Sequence, residues 1–246
     1  MSFSFNRDKL LTIARSRKVP LIEDAAGALG SQYKNMMCGT LADIGILSFN
    51  GNKLLTTGSG GMLITNNKTI AKKARNILSQ YRKPNSYEYS GIGFNFNISN
   101  LNAVIGLAQM PHLNSILKKK KNIAYRYDSY FLSRQDIEVM PKNNWSKNNN
   151  WLYSVRLSSE KEAKRLVQYL KINRIESRVF WHGLSSQKPY KIYNKLLSGV
   201  SKKISGSIVS IPSSSSLKLT DQKKVIDVFT QFKTKKVKPI EIISDA

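Results

Sequence analysis

The sequence predicts an α/β fold in two parts, a large domain on a mainly parallel sheet over residues 1–118 and a smaller C-terminal α/β domain over residues 119–246. Three observations carry this reading. Short apolar runs ending in acids or glycines alternate with stretches whose apolar residues recur every three to four positions, as buried strands alternate with covering helices. A chain of 246 residues that is 41% hydrophobic can fill a packed core, and 14 Gly with 7 Pro are too few for a low-complexity or collagen-like chain. The composition also shifts at the polar stretch PKNNWSKNNN, beyond which strands and helices resume.

The elements follow in order. DKLLTIARSRK, residues 8–18, sets Leu10, Leu11, Ile13 and Ala14 on one helical face and closes on basic residues, which suit a helix C-terminus. VPLIEDAAGALG then reaches Glu23 and Asp24 from a short apolar run, the pattern of a buried parallel strand feeding a loop. Residues 43–49 and 61–65 read as two more strands, the second following the glycine-rich turn TTGSGG. A helix over 67–81 starts at Asn66 or Asn67 and carries the stripe Ile70, Ala71, Ala74, Ile77 and Leu78. From Ser99 a longer helical pattern runs to residue 132, with Pro111 marking a kink or break.

Residues 141–150 read as a polar surface loop. WLYSVRL follows as a strand, SSEKEAKRLVQYLKIN as a helix opened by Ser158 or Ser159 with Glu160 and Glu162 in its first turn, and IESRVFW as another strand. IVSIP is a short strand and TDQKKVIDVFTQF a closing helix capped by Thr220 or Asp221, after which the tail 233–246 is expected to fray. There is no internal repeat.

Lys and Arg number 40 against 15 Asp and Glu, a formal charge of +25 that raises nucleic acid as a partner. The surplus is spread over Lys72 and Lys73, Lys118 to Lys121, Lys202 and Lys203, and 233–238, without aromatic interleaving or a finger motif. It therefore reads as a lysine-rich solvated surface, and nucleic-acid binding is not expected. A single cysteine, Cys38, allows no internal disulfide and no metal cluster, so no metal is expected and a reducing, cytoplasmic setting is. Charges at Arg7, Asp8 and Lys9 interrupt any signal peptide, and no apolar run approaches a membrane span.

Two residues could carry chemistry together. Asp24 sits at the carboxyl end of a strand, where open α/β sheets bind ligands. Lys53 follows another strand, flanked by small and amide residues and then by glycines that let a ligand approach the backbone. A strand-end aspartate and a loop lysine are used jointly with pyridoxal 5′-phosphate (PLP), the amine holding its aldehyde and the carboxylate keeping its ring nitrogen protonated. From spacing alone, a surface lysine and a capping aspartate remain the plainer alternative. Cys38 lacks a nearby histidine, TTGSGG lacks the Lys-Ser/Thr ending of a phosphate loop, and His112 after Pro111 reads as structural.

The wording around these residues adds more. PLIEDAAGALGS, ADIGILSFNGNK, TTGSGGMLITNN and GIGFNFNISNLNAVIGLAQM resemble, across most of residues 8–132, nucleotide-sugar aminotransferases of the DegT/StrS type. NGNK is most similar to the subgroup acting on UDP-linked 4-keto sugars en route to bacillosamine or legionaminic acid, and IESRVFWHGLSSQKPY and SIPSSSSL echo the family's small domain. The resemblance implies a partial fold-type-I PLP-aminotransferase large domain, a homodimer, and transfer of an amino group from an amino acid, with glutamate the expected donor, to a nucleotide-linked keto sugar for surface polysaccharide. It further implies that Lys53 is the cofactor-bearing catalytic lysine and Asp24 the partner of the ring nitrogen. Ala26 would pack on the ring, Ser48 would bind the cofactor phosphate, Asn95 would reach the neighbouring subunit's phosphate, and His182 would contact the sugar nucleotide.

The chain departs from that pattern in three ways. Family members carry a long segment ahead of the one that matches, including a glycine-serine/threonine phosphate loop and an aromatic that stacks on the cofactor. The N-terminal part of the large domain is therefore expected to be missing, or supplied as a complementing half, and an apolar edge to be exposed. Gly27 stands where the family has a polar residue near the cofactor's phenolic oxygen, and Asn97 stands where NxR would supply an arginine. The alternative reading is a truncated, non-catalytic remnant acting as a dimerisation or partner-binding module.

Overall fold

The computed structural model describes residues 7–193 and 199–238. By their packing the residues fall into two units, Met1–Lys118 with Asn143–Trp151, and Lys119–Lys142 with Leu152–Ala246. Most of residues 141–150, read from the sequence as a surface loop of the second domain, thus belongs with the first unit, as does Trp151, read as the start of the following strand.

The first unit contains α1 (Arg7–Ser16), β1 (Ile22–Asp24), β2 (Gln32–Tyr33), β3 (Met36–Met37), β4 (Ile44–Ser48), β5 (Gly61–Ile64), α2 (Lys68–Leu78) and α3 (Asn100–Gln109). Its main sheet has the order β1-β4-β5. β1 and β4 form the parallel pairing expected from the sequence, with Asp24 opposite Ile46. β5 joins antiparallel, with Ser48 opposite Gly61, because the chain turns back from β4 without the crossover helix that a parallel neighbour needs.

Two acids lock β1 to β4. The buried Glu23 carboxylate accepts the Leu41 N–H at 2.9 Å, and Asp43 accepts the Leu21 N–H at 2.8 Å. Gly45 is the glycine of the ADIG wording, and its place is steric: a β-carbon there would lie 1.8 Å from the Gly39 carbonyl oxygen. Ala25, Tyr33, Leu41, Leu47, Phe49 and Leu55 form the core of this unit.

The helices of this unit bury less than their stripes suggest. α1 has no buried residue, and Leu10 and Ile13 remain exposed. It is held by polar contacts, Arg7 donating to the Leu41 carbonyl and Asp8 accepting from Tyr33 at 3.1 Å and Lys34 at 2.7 Å. α2 is capped by Asn67, whose side chain accepts the Thr69 and Ile70 N–H groups, and its expected stripe is half-buried. It ends at Leu78 because Gln80 and Tyr81 take left-handed backbone at φ 63° and 53°.

After α3 the chain forms α4 (Leu113–Phe131), β6 (Glu138–Val139), β7 (Ser146–Lys147), β8 (Tyr153–Arg156), α5 (Glu160–Ile172), β9 (Arg178–Val179), α6 (Val200–Ile204), β10 (Ile208–Ile211) and α7 (Leu219–Gln231). Pro111 lies in a single 3-10 turn between α3 and α4, so the long helical pattern is broken there. The second unit is an antiparallel sheet of order β6-β8-β10-β9 with α4, α5 and α7 packed on it. Tyr127 and Phe131 of α4, Leu166 and Leu170 of α5, and Phe229 of α7 fill its core with Tyr153, Val155 and Val209 of the sheet.

Two expectations for this unit are corrected. Thr220 and Asp221 do not cap α7: the helix starts at Leu219, and Asp221 supplies a first-turn acid instead. Residues 233–238 of the tail are not frayed, because the Val237 N–H donates to the Gln135 carbonyl at 3.1 Å, Arg156 donates to the Lys238 carbonyl at 2.8 Å, and Thr234 donates to Glu162 at 2.5 Å. Residues 239–246 lie outside the described residues. Among the described residues no helix is long and apolar enough to cross a membrane, and no three His, Cys, Asp or Glu side chains gather as a metal site.

Candidate active site

The pleat of β1 sends Glu23 into the core and leaves Asp24 exposed at the strand's carboxyl end. Asp24 Oδ1 accepts the Ala26 N–H at 3.1 Å, which turns the chain into the small-residue loop that follows. Ala26 is half-buried beside it.

β4 runs parallel to β1 and delivers Lys53 just beyond its end, in a loop fixed at many points. The Lys53 N–H donates to the Asn50 carbonyl at 2.9 Å, Leu55 is 1% exposed, and the Thr57 N–H returns to the Phe49 carbonyl at 2.9 Å. Gly58 and Gly60 adopt φ 81° and 122°, where a side chain would be strained. One face of α3 grips this loop. Asn102 donates to the Thr57 carbonyl at 2.5 Å and Gln109 to the Thr56 carbonyl at 2.6 Å, while Gly106 lets Thr57 come so close that a β-carbon would sit 2.8 Å from its methyl group. The Asn, Gly and Gln of SNLNAVIGLAQ are thus the face on which the lysine loop rests.

The Lys53 amine is half-buried and lies 4.1 Å from the centre of the Trp151 ring. Burial lowers its pKa from the ordinary lysine value, and the charge of Asp24 partly opposes that shift. The two candidate groups therefore feel each other electrostatically, in one unit and at the same end of a parallel strand pair. Trp151 is a site residue that the sequence did not single out. Its indole N–H donates to the Asn52 carbonyl at 2.6 Å, beside the lysine.

The other expected residues are placed as follows. The half-buried Ser48 hydroxyl ends β4 and accepts the Asn50 N–H at 3.4 Å. Asn95 is exposed and bridges to Ser79 on the arm between α2 and α3. His182 belongs to the second unit, exposed, with Nδ1 2.8 Å from the Ser205 hydroxyl. The Gly27 carbonyl accepts from Asn149 at 2.9 Å, and Asn97 is exposed. Cys38 is buried and its thiol is pushed up to about 11, chiefly by that burial, which leaves little thiolate for nucleophilic work.

The donor set fits a ligand with an aldehyde and a basic ring nitrogen. An amine made less basic by burial can bond to the first, and an exposed carboxylate can accept a hydrogen bond from the protonated form of the second.

Comparison with known proteins identifies the family. The model of the DegT/DnrJ/EryC1/StrS aminotransferase family matches residues 4–230. EpsN of Bacillus subtilis (strain 168) is 34% identical over 241 residues, covering 96% of this chain and 62% of EpsN. GDP-perosamine synthase of Caulobacter vibrioides is 33% identical over 187 residues, covering 74% of this chain and 50% of the synthase. The crystal structure of a DegT DnrJ EryC1 StrS aminotransferase from Brucella abortus superposes with a TM-score of 0.85 at 25% identity, covering 93% of this chain and 61% of that one. The chain spans 50% to 62% of the length of these three relatives.

Proposed function

The chain belongs to the DegT/DnrJ/EryC1/StrS aminotransferase family, and from that premise we propose that it carries the amine and carboxylate of a PLP-dependent sugar aminotransferase. The reaction moves an amino group from an amino acid, with glutamate the expected donor, to a keto sugar held on a nucleotide, in cytoplasmic synthesis of a surface polysaccharide. The observation that carries the proposal is that Asp24 sits at the carboxyl end of β1 and Lys53 in the loop after the adjacent parallel β4, with the Asp24 charge acting on the Lys53 amine.

Pyridoxal phosphate, when bound, supplies an aldehyde and a ring that takes up the electron pair left when a carbon-bound proton departs. This chain's residues supply the rest. Lys53 Nζ would hold the aldehyde and, when free, its amine would accept and return a proton. Burial suits it to that work, since it lowers the amine's basicity and so favours the neutral form that attacks or accepts a proton. Asp24 holds the ring nitrogen's proton in place. By the family resemblance, Ala26 would pack on the ring, the Ser48 hydroxyl would hold the phosphate, Asn95 would serve the phosphate of a neighbouring subunit, and His182 would contact the sugar nucleotide. Gly27 and Asn97 each remove a polar contact from the family's set.

Assembly is part of this reading. Leu101, Val104 and Leu107 of α3 are exposed, as are Phe94 and Phe96, whose rings stack at 4.9 Å. Such an apolar surface suits a second copy of the chain, or a polypeptide supplying the remainder of the large domain.

The test is the first half-reaction, which needs no sugar. Protein loaded with PLP and given glutamate should lose its aldehyde absorbance and release one equivalent of 2-oxoglutarate, and Lys53→Ala should do neither. Unchanged absorbance with every common amino donor would reject the proposal.

A further inference from the structure

Residues 149–151 tie the aspartate loop to the lysine loop. Asn149 is 2% exposed despite its polarity. Its side-chain N–H groups donate to the Gly27 and Leu29 carbonyls at 2.9 and 3.0 Å, and its own backbone N–H donates to the Ser31 hydroxyl at 3.1 Å. All three partners lie just after Asp24 and Ala26. Asn149 Oδ1 also accepts the Trp151 N–H at 3.0 Å, and Asn150 between them takes left-handed backbone at φ 52°, which asparagine tolerates. Trp151 then reaches the other loop with two contacts, its indole N–H on the Asn52 carbonyl and its ring over the Lys53 amine.

The strap is itself anchored. β7 pairs with β2 in the order β3-β2-β7, the Lys34 N–H donates to the Trp145 carbonyl at 2.8 Å, and Trp145 packs edge-on against Tyr33 at 5.4 Å.

We propose that Asn149–Trp151 is a positioning strap that holds the Lys53 amine in register with the Asp24 loop, and that Trp151 is the residue that fixes the amine. The proposal rests on the reading of Lys53 and Asp24 as the reacting pair. A flexible lysine otherwise samples many rotamers, and an aromatic face that attracts its cation confines it to one place. The tryptophan therefore positions Lys53 through the face of its ring and forms no bond in the reaction.

The test uses the whole chain without cofactor, so it is independent of PLP binding. Lys53 acetylation by limiting acetic anhydride is mapped by mass spectrometry from pH 7 to 11, with the other lysines as internal standards. Trp151→Leu and Trp151→Met remove the ring, and Trp151→Phe keeps a ring but loses the indole N–H. The relative reactivity of Lys53 should rise roughly five-fold in the Leu and Met variants, as the loss of a typical cation–ring contact implies, and stay within about two-fold of the parent in Trp151→Phe. Equal reactivity in all four proteins overturns the proposal. So does a rise in Trp151→Phe as large as in Trp151→Leu, since the residue would then act only as bulk. Having Met as well as Leu guards against a variant that does not fold. If these labels behave as expected but PLP never attaches to Lys53, the proposed function fails while the strap stands.

Discussion

Replacing Asn149 by alanine should destabilise the first unit and loosen the turn that carries Asp24. The substitution deletes three side-chain hydrogen bonds, two donated to the Gly27 and Leu29 carbonyls and one accepted from the Trp151 N–H. Each such bond contributes about 1 kcal/mol net, so the expected loss is about 3 kcal/mol. With a urea dependence of about 2 to 3 kcal/mol per molar, the unfolding midpoint should fall by roughly 1 M. Urea titration followed by tryptophan fluorescence measures it, because Trp145 and Trp151 lie in the same segment. Amide exchange should quicken in residues 27–31 of the variant. Asn144→Ala is the control, an exposed asparagine in the same segment that should change stability by less than about 0.5 kcal/mol. A midpoint for Asn149→Ala no lower than that of the control would refute the reasoning, since the buried asparagine would then be as dispensable as a solvated one.

Two further outcomes follow from single residues. Gly45→Ala should destabilise by about 3 kcal/mol or more, because its β-carbon meets a backbone oxygen that cannot swing aside; thermal unfolding would show it, and an unchanged melting temperature would contradict the steric argument. Lys120 of α4 is buried, donates to the Ser213 carbonyl, and has its pKa lowered to about 8 by that burial. Above about pH 8 the folded chain holds it neutral while the unfolded chain still binds a proton, so its contribution makes stability rise with pH up to about 10.5. Between pH 7.5 and 9.5 the parent should gain about 2 kcal/mol relative to Lys120→Met, and a constant difference would show that the amine is not perturbed.

Much of this was readable in the chain. The β1 and β4 strands, the glycine-rich turn and the Asn67, Ser99 and Ser159 caps follow from local chemistry that acts within a few residues. Asp24 and Lys53 stood out in the sequence through the family wording around them, since spacing alone left a surface lysine and a capping aspartate as the plainer alternative. The strap was not. An asparagine-rich stretch looks solvated, and only tertiary structure shows that Asn149 spends its hydrogen bonds on a loop far away in the sequence. The β2–β3 hairpin was missed although a signal was present: Lys34-Asn35 is a two-residue turn with φ 45° and 65°, a type I′ geometry that asparagine favours. α1 misled in the other direction, since its apolar stripe promised burial and the helix is held by Arg7 and Asp8 instead. The acids of β1 also look alike in sequence, and only the pleat separates structural Glu23 from exposed Asp24.

The central claim is that Lys53 is the amine that takes up pyridoxal phosphate. Incubation with PLP, reduction with borohydride and peptide mapping by mass spectrometry test it directly. The account predicts a reduced cofactor mass on the peptide containing Lys53, at one equivalent per chain, with the exposed lysines of this strongly basic protein labelled only in traces. Labelling scattered over surface lysines with none preferring Lys53 would contradict it.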